Sequence, residues 1–316
     1  MYESFLLSLN IVLPLFLMMA AGYAFRRIIG LDTTWVQTTN KLVFRLLLPL
    51  LLFRNMVESD LSTLSSPGMF SLIVFAVAGT VLTFVLLYFI VPRLEPENPR
   101  RGVLIQGILR SNMALFGIPV ALSLYGEGNI TIVTVLVSFV IPLFNVLAVL
   151  SLKLFEGCKP DWKQILKSIL TNPLILAIAA GLLCNASGVI LPAPVQKAVW
   201  ALSDCATPVS FFVLGASFLF ASAAKNRRAL TAATLSRLVF VPLIWLILGV
   251  LLGFRNQHLF ALMMLFTPPT AVSSYPMACA MKGDGELASE IVVFTSAFSV
   301  ASIFLWIFVF RALGLI

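Results

Sequence analysis

Roughly ten predominantly apolar runs follow one another along the chain with short polar connections, and most approach the twenty or so residues needed to cross a bilayer core of about 30 Å. A backbone in lipid must satisfy its own hydrogen bonds, so such runs fold as helices. The expectation is an all-α integral membrane protein. Its crossings fall at about 5–25, 42–58, 69–92, 103–125, 131–154, 173–187, 196–220, 234–254, 258–281 and 288–311. Composition agrees, since only 11% of the 316 residues are charged and mean hydropathy is +1.04, whereas a soluble domain is about a quarter charged.

A net charge of +8 raises the question of nucleic acid, but the basic residues are spread singly and in pairs through the connections, and no nucleic-acid partner is expected. With the N-terminus outside, one side holds Arg26, Arg27, Lys41, Arg93, Arg100, Arg101, Lys153, Lys159, Lys163, Lys167, Lys225, Arg227, Arg228 and Lys282. The other holds Arg54, Lys197, Arg255 and Arg311. The positive-inside rule then places a multi-pass protein in the plasma (bacterial inner) membrane with both termini outside. Glu3 stands where a cleaved leader would be basic, so the first run reads as a retained crossing. Arg45, Arg110 and Arg237 fall inside crossings near the cytoplasmic end, where long side chains snorkel.

The four cysteines, Cys158, Cys184, Cys205 and Cys279, have no metal or CxxC spacing and read as small apolar residues. No metal and no cofactor is expected. The sole histidine, His258, lies at the outer edge of a crossing, and Asp204 is the one acid well inside one, so the HExxH, Ser/His and paired-aspartate arrangements of intramembrane enzymes are missing. The five tryptophans, Trp35, Trp162, Trp200, Trp245 and Trp306, suit interfacial or lipid-facing positions.

Internal similarity is more informative. PLFLMMAAG from Pro14 is matched by PLILAIAAG from Pro173, and PLLLF from Pro49 by PVSFF from Pro208, both at a separation of 159 residues. A third pair lies 157 apart: after Pro119 and Pro276 the chain reads Pro-x-Ala, four residues, then Gly, an acid and Gly. A common offset in corresponding crossings indicates two five-helix halves, residues 1–155 and 173–316, around a cytoplasmic loop at 156–172. Five is odd, so the second half enters from the opposite side, an inverted repeat.

Proline suits the first turn of a helix better than its middle, so Ile118–Pro119 and Tyr275–Pro276 read as starts of new half-helices near mid-membrane. A half-helix starting there offers unpaired N–H groups and a partial positive charge, and two of them make an anion site. The candidate donors are the amides of Val120, Ala121, Met277 and Ala278; Ser111, Asn112, Thr267, Thr270, Ser273 and Ser274 supply polar groups to the cavity that such unwound backbone requires. The competing reading is that each proline only kinks a continuous helix.

At these residues the sequence resembles the auxin efflux carrier family, which includes the plant PIN-FORMED auxin carriers and bacterial permeases for small organic acids. The likeness is carried by RSNMALFGIPVALSLYGEG, by TPPTAVSSYPMACAMKGDGELASEIVVFTSAFS, and by NPLILAIAAGLLCNASGVILPAPVQKA and ATPVSFFVLGASF. It implies a ten-helix fold in which broken crossings four and nine cross each other within a mobile domain of crossings three to five and eight to ten. Crossings one, two, six and seven would form a scaffold and a homodimer contact. The short central loop brings this chain nearer the bacterial branch, which implies a small carboxylate in preference to an indole acid. Pro268-Pro269 ahead of Pro276 is a departure that shifts the second break.

Asn112 maps onto the family's motif asparagine and reads as a substrate contact or as a partner for the broken backbone. Asn145 reaches the same cavity or bonds another helix. Arg54 holds a substrate carboxylate or pairs with Glu58 one turn on, and Asp204 binds a coupling ion or pairs with Arg54 or Lys197. The leading expectation is a secondary transporter of a small, malate-like mono- or dicarboxylate working by elevator-type alternating access. The alternatives are a sodium- or proton-coupled symporter of related crossover fold (the bile-acid-sodium type) and, from another class, a passive channel or membrane receptor.

Overall fold

The computed structural model describes residues 2–59, 68–125, 131–157 and 162–316, and the regular elements among them are all helical. The first half comprises α1 (Tyr2–Ile29), α2 (Thr33–Leu42), α3 (Leu48–Val57), α4 (Met69–Leu94), α5 (Asn98–Leu109), α6 (Met113–Tyr125) and α7 (Thr131–Leu154). After α8 (Trp162–Leu170) come α9 (Pro173–Ser187), α10 (Ala193–Asp204), α11 (Ala206–Ser217), α12 (Phe220–Lys225), α13 (Arg227–Leu235), α14 (Val241–Leu251), α15 (Asn256–Phe266), α16 (Ser274–Ala280) and α17 (Gly285–Ala312). Gly126 to Gly128 of the first motif, and Cys158 and Lys159, lie outside the described residues.

Six continuous segments among the described residues are long and apolar enough to cross a membrane: Thr33–Val57, Met69–Leu94, Thr131–Leu154, Ala193–Ser217, Arg227–Leu251 and Gly285–Ala312. The pair α8 and α9, bent by 51°, makes a seventh when taken together. The chain is therefore an α-helical membrane protein. Exposed Leu82, Leu86 and Phe89 on α4, and Leu243, Ile247 and Leu251 on α14, recur at helical spacing as lipid-facing stripes. Trp245 departs from the lipid-facing expectation: it is buried, donates from Nε1 to Thr83 Oγ1 at 2.8 Å and stacks on Phe266.

Two of the long segments contain a π-helical turn, Val43–Leu47 and Ser236–Phe240, each immediately ahead of a helix with proline at its second residue, Pro49 and Pro242. Proline has no N–H to return to the preceding turn, and the backbone widens there. In the second case the Leu238 carbonyl takes hydrogen bonds from Ser302 Oγ at 2.9 Å and Trp306 Nε1 at 3.0 Å. The widened turn carries Arg237, which is 1% exposed.

Small residues set the closest helix contacts. A β-carbon on Gly22 would lie 1.9 Å from the Phe212 carbonyl oxygen, and one on Gly181 would lie 2.6 Å from that of Phe53, so α1 packs against α11, and α9 against α3, backbone to backbone. The other long helices, α4, α7, the α13–α14 segment and α17, pack around α5 and α15. Helix starts are capped where the sequence supplies an acceptor: Asp32 takes Trp35 N–H at 2.9 Å and Asp284 takes Leu287 N–H at 3.0 Å.

Candidate functional site

The segments expected at 103–125 and 258–281 are each two short helices with an unwound stretch between them, 110–112 and 267–273. The two stretches meet as a minimal antiparallel pair: Ser111 opposes Thr270, Asn112 N–H donates to Pro269 O at 2.9 Å, and Ala271 N–H donates to Arg110 O at 3.2 Å. Pro268 and Pro269 cannot donate to the preceding turn, which ends α15 at Phe266.

The helices that restart do so earlier than the prolines suggested. α6 begins at Met113, and its first return bond runs from Phe116 N–H to Asn112 O at 3.1 Å. Pro119 therefore sits inside α6, and the amides of Val120 and Ala121 belong to its later turns. The donors that precede the first intrahelical bond are those of Met113, Ala114 and Leu115. In α16 the amides of Ser274, Tyr275 and Met277 return to Ala271, Val272 and Ser273 at 2.9 to 3.2 Å, and Ala278 lies within the helix. The expected pair of free amide clusters at the prolines is not what the backbone presents.

Two arginines occupy this crossing instead, and neither snorkels. Arg237 is 1% exposed and Arg110 is 3% exposed. Arg237 donates to five carbonyl oxygens: Nε to Pro268 at 2.8 Å, Nη1 to Ile108 and Leu109 at 3.1 and 3.2 Å, and Nη2 to Leu265 and Phe266 at 3.2 and 3.0 Å. The remaining carbonyls of the last turn of α5 are taken by Arg110 N–H on Gln106 and by Thr270 Oγ1 on Gly107, at 2.9 and 2.6 Å. The C-terminal end of α5 is thus fully accounted for. Thr267 Oγ1 donates to Met263 O at 2.8 Å and the Thr270 amide donates to Thr295 Oγ1 at 3.2 Å, so both threonines serve the backbone.

Arg110 is held differently. Its Nη2 donates to Asn145 Oδ1 at 3.1 Å and Ser273 Oγ at 2.8 Å, and Nη1 approaches Met277 Sδ at 3.2 Å. Its Nε is buried without a protein partner, and so are Ser111 Oγ, Asn112 Nδ2, Ser274 Oγ and Gln106 Oε1 around it. Neither buried arginine forms an ion pair among the described residues. A guanidinium taken out of water without an acid costs several kcal/mol on the order of a buried unpaired ion, and four potential donors (Arg110 Nε, the Ser111 and Ser274 hydroxyls and Asn112 Nδ2) lie unused at the same crossing. The arrangement can receive a negatively charged group rich in acceptor oxygens.

A cavity of about 570 Å³ lies beside α16, between it and the segment α2–α3. Its lining includes Arg26, Asn40, Lys41, Arg45, Tyr275 and Pro276. Asn40 Nδ2 donates to the Tyr275 hydroxyl at 2.9 Å across that gap. Of the remaining expected residues, Asn145 reaches the crossing, while Ile118 and Pro119 are partly exposed on α6. Arg54 is engaged elsewhere: it binds Glu58 at 3.1 Å and Asp204 at 2.6 Å and lies over the Trp200 ring. Asp204 is 70% exposed in its side chain. Glu290 on α17 is a buried acid, 1% exposed, and accepts from Asn226 Nδ2 at 2.8 Å.

The family model described as membrane transport protein matches residues 7–159 and 161–307. An uncharacterized transporter of Methanothermobacter thermautotrophicus is 22% identical over 303 residues, which is 96% of this chain and 98% of that protein.

Proposed function

Given that the chain belongs to the membrane transport protein family, that of the auxin efflux carriers, and is a membrane transporter and not an enzyme, we propose that it carries a small organic anion, a malate-like mono- or dicarboxylate, bound at the crossing of the two unwound stretches. The observation that carries this reading is Arg110: a buried guanidinium with no acid beside it and one N–H unspent, among hydroxyl and amide groups with no partner. A substrate carboxylate would supply the missing charge and acceptors, with Asn112 Nδ2, Ser111, Ser273 and Ser274 completing its shell and Asn145 positioning Arg110. Thr270, Met277 and the turns at Ile118–Ala121 and Tyr275–Ala278 form the walls.

The proposal includes ten crossings arranged as two inverted repeats. Its support is that contacts recur at the offset found in the sequence: Gly22 packs on Phe212 and Gly181 on Phe53, and each residue of the first pair has its counterpart 159 positions away in the second. α1, α2–α3, α9 and α10–α11 would form the scaffold, by family likeness the homodimer contact, and the other crossings the mobile domain. Elevator motion would carry the crossing past the scaffold, with the basic cavity at Arg26, Lys41 and Arg45 as the entrance on the cytoplasmic side of the plasma membrane. Both termini would then lie outside. Arg54 and Asp204, bonded to each other, would brace the scaffold by joining α3 to α10.

The test is a transient-current measurement on proteoliposomes adsorbed to a supported membrane, adding malate, lactate, pyruvate, malonate and indole-3-acetate singly, followed by labelled uptake under imposed sodium and proton gradients. A saturable response to a small carboxylate, lost in Arg110→Met, is expected. A flux that never saturates would argue for a channel, and silence in both formats would sink the carrier reading for these acids.

A further inference from the structure

Helices α5 and α15 end at the same place, and each C-terminus carries about half a negative elementary charge from its aligned peptide dipoles. The two ends together call for about one positive charge. Where discontinuous helices serve ion-coupled transport, carbonyls at such ends are what coordinate the coupling cation. Here five of them, from Ile108, Leu109, Leu265, Phe266 and Pro268, converge on the guanidinium of Arg237 at 2.8 to 3.2 Å. The side chain comes from the widened turn of a third segment, Ser236–Phe240, and is 1% exposed.

We propose that Arg237 is a tethered replacement for a coupling cation: it fills the carbonyl cage at the helix crossing permanently, so that the protein needs no sodium or other small cation to assemble its anion site. The proposal rests on the crossing being the transport site and adds how that site is kept neutral. A guanidinium suits the task because its five N–H groups spread over oxygens from two helices and it does not lose its proton. The charge cannot leave with the substrate, so no small metal cation travels from this cage in the transport cycle.

This bears on the sodium-coupled form of the alternative that the sequence left open. A sodium symporter of crossover architecture needs those carbonyls free in one state, and Arg237 is bonded to them from three directions in the backbone: the end of α5, the end of α15 and the unwound Pro268. The carboxylates offer no second place for a cation beside them, because the buried arginines have no acid within ion-pair distance among the described residues.

Thermal unfolding of purified protein decides it without any substrate, so a wrong assignment of the anion leaves the test standing. Wild type, Arg237→Ala and Arg237→Lys are melted in sodium, potassium, lithium and choline chloride at equal ionic strength. Wild type is expected to melt at one temperature in all four salts. Arg237→Ala should melt lower in choline and regain about 5 °C, saturably, with one of the small cations, as a site occupied well above its dissociation constant would give. Arg237→Lys, carrying its own charge, should be less responsive to the salt. A saturable sodium effect on wild type overturns the proposal, and so does an Arg237→Ala protein that is monodisperse yet indifferent to all four salts. Should Arg237→Ala not be obtainable, the wild-type and lysine melts still decide, since either one gaining stability from a specific small cation to the extent predicted for alanine means that the cage is not filled by the side chain.

Discussion

Arg110 and Arg237 are buried at one helix crossing, yet the protein treats them in opposite ways. Arg237 spends its donors on five backbone carbonyls and has every N-bearing arm engaged. Arg110 spends Nη2 on two neutral side chains, rests Nη1 against a thioether and leaves Nε without a partner. The difference teaches how to divide a membrane protein's intramembrane charges. A saturated cation balances the fold's own dipoles, and an unsaturated one keeps capacity for something that comes and goes.

The comparison breaks first at Arg237. Arg237→Met removes the donors from five buried carbonyls and should cost about 3–5 kcal/mol of stability, the scale for removing one side of a buried charged network. It is read as a large fall in melting temperature in choline chloride, where no cation substitutes. A change of under about 1 kcal/mol would mean that water or neighbouring amides replace the guanidinium and that its saturation has no structural meaning.

Arg110→Met should invert that pattern. Removing a buried charge that has no acid is expected to change stability by less than about 1 kcal/mol, because the desolvation cost disappears together with two neutral hydrogen bonds. Affinity for the carboxylate proposed to bind there should fall on the order of a hundredfold, as when one partner of a buried charge pair is truncated. Equal stability losses in Arg110→Met and Arg237→Met would erase the distinction. Asn112→Ala sharpens it with a smaller effect: the amide is neutral, so affinity should drop about tenfold while expression and oligomeric state stay as in wild type. Unchanged binding removes Asn112 from the site.

How far the sequence reached can be stated from the same residues. The apolar runs were legible as helices because a helix in lipid must be apolar and about twenty residues long, but their starts were less so: the run expected from 42 begins at Thr33 and the one expected from 234 at Arg227. The two breaks were legible as well, since α5 and α15 end within a few residues of where polar and proline-rich stretches begin. Their cause was misplaced. Pro119 and Pro276 looked like helix starts, but the restart follows the crossing, and Pro268-Pro269 end α15 while Pro119 is accommodated inside α6.

The arginines were read as snorkelling because a linear sequence gives only their depth. That Arg237 faces two helix ends depends on residues 129 and 31 positions away and on a π-helical turn that no apolar pattern announces. One signal was present for Arg110: it stands directly before Ser111-Asn112, so a charge and two polar groups interrupt an apolar crossing together. For Asp204 the pairing alternative is the one the structure shows, since its carboxylate accepts from Arg54 Nη1 at 2.6 Å.

Charge pairing at the water boundary supplies the smallest effect and the limit of the comparison. Glu156, just past α7, takes hydrogen bonds from Lys153 and from Lys282 Nζ, the latter at 3.0 Å. Burial works against its charged form, but the two lysines outweigh it and hold the carboxyl below its ordinary value. A carboxyl depressed on folding stabilises the fold above its unfolded pKa of about 4.3, and that contribution is lost as pH falls through the lower folded value. Lys282 is 80% exposed in its side chain, so solvent screens the pairing and the whole contribution should be below about 1 kcal/mol. Glu156→Gln should therefore melt slightly below wild type at neutral pH, and the two curves should converge as pH falls through the depressed folded value. The gap should also shrink in high salt, where exposed pairs are screened. A difference that persists in acid would assign the loss to packing of the Glu156 side chain and not to its charge. An effect at neutral pH as large as that of Arg237→Met would mean that burial and saturation do not govern what a charge is worth in this protein.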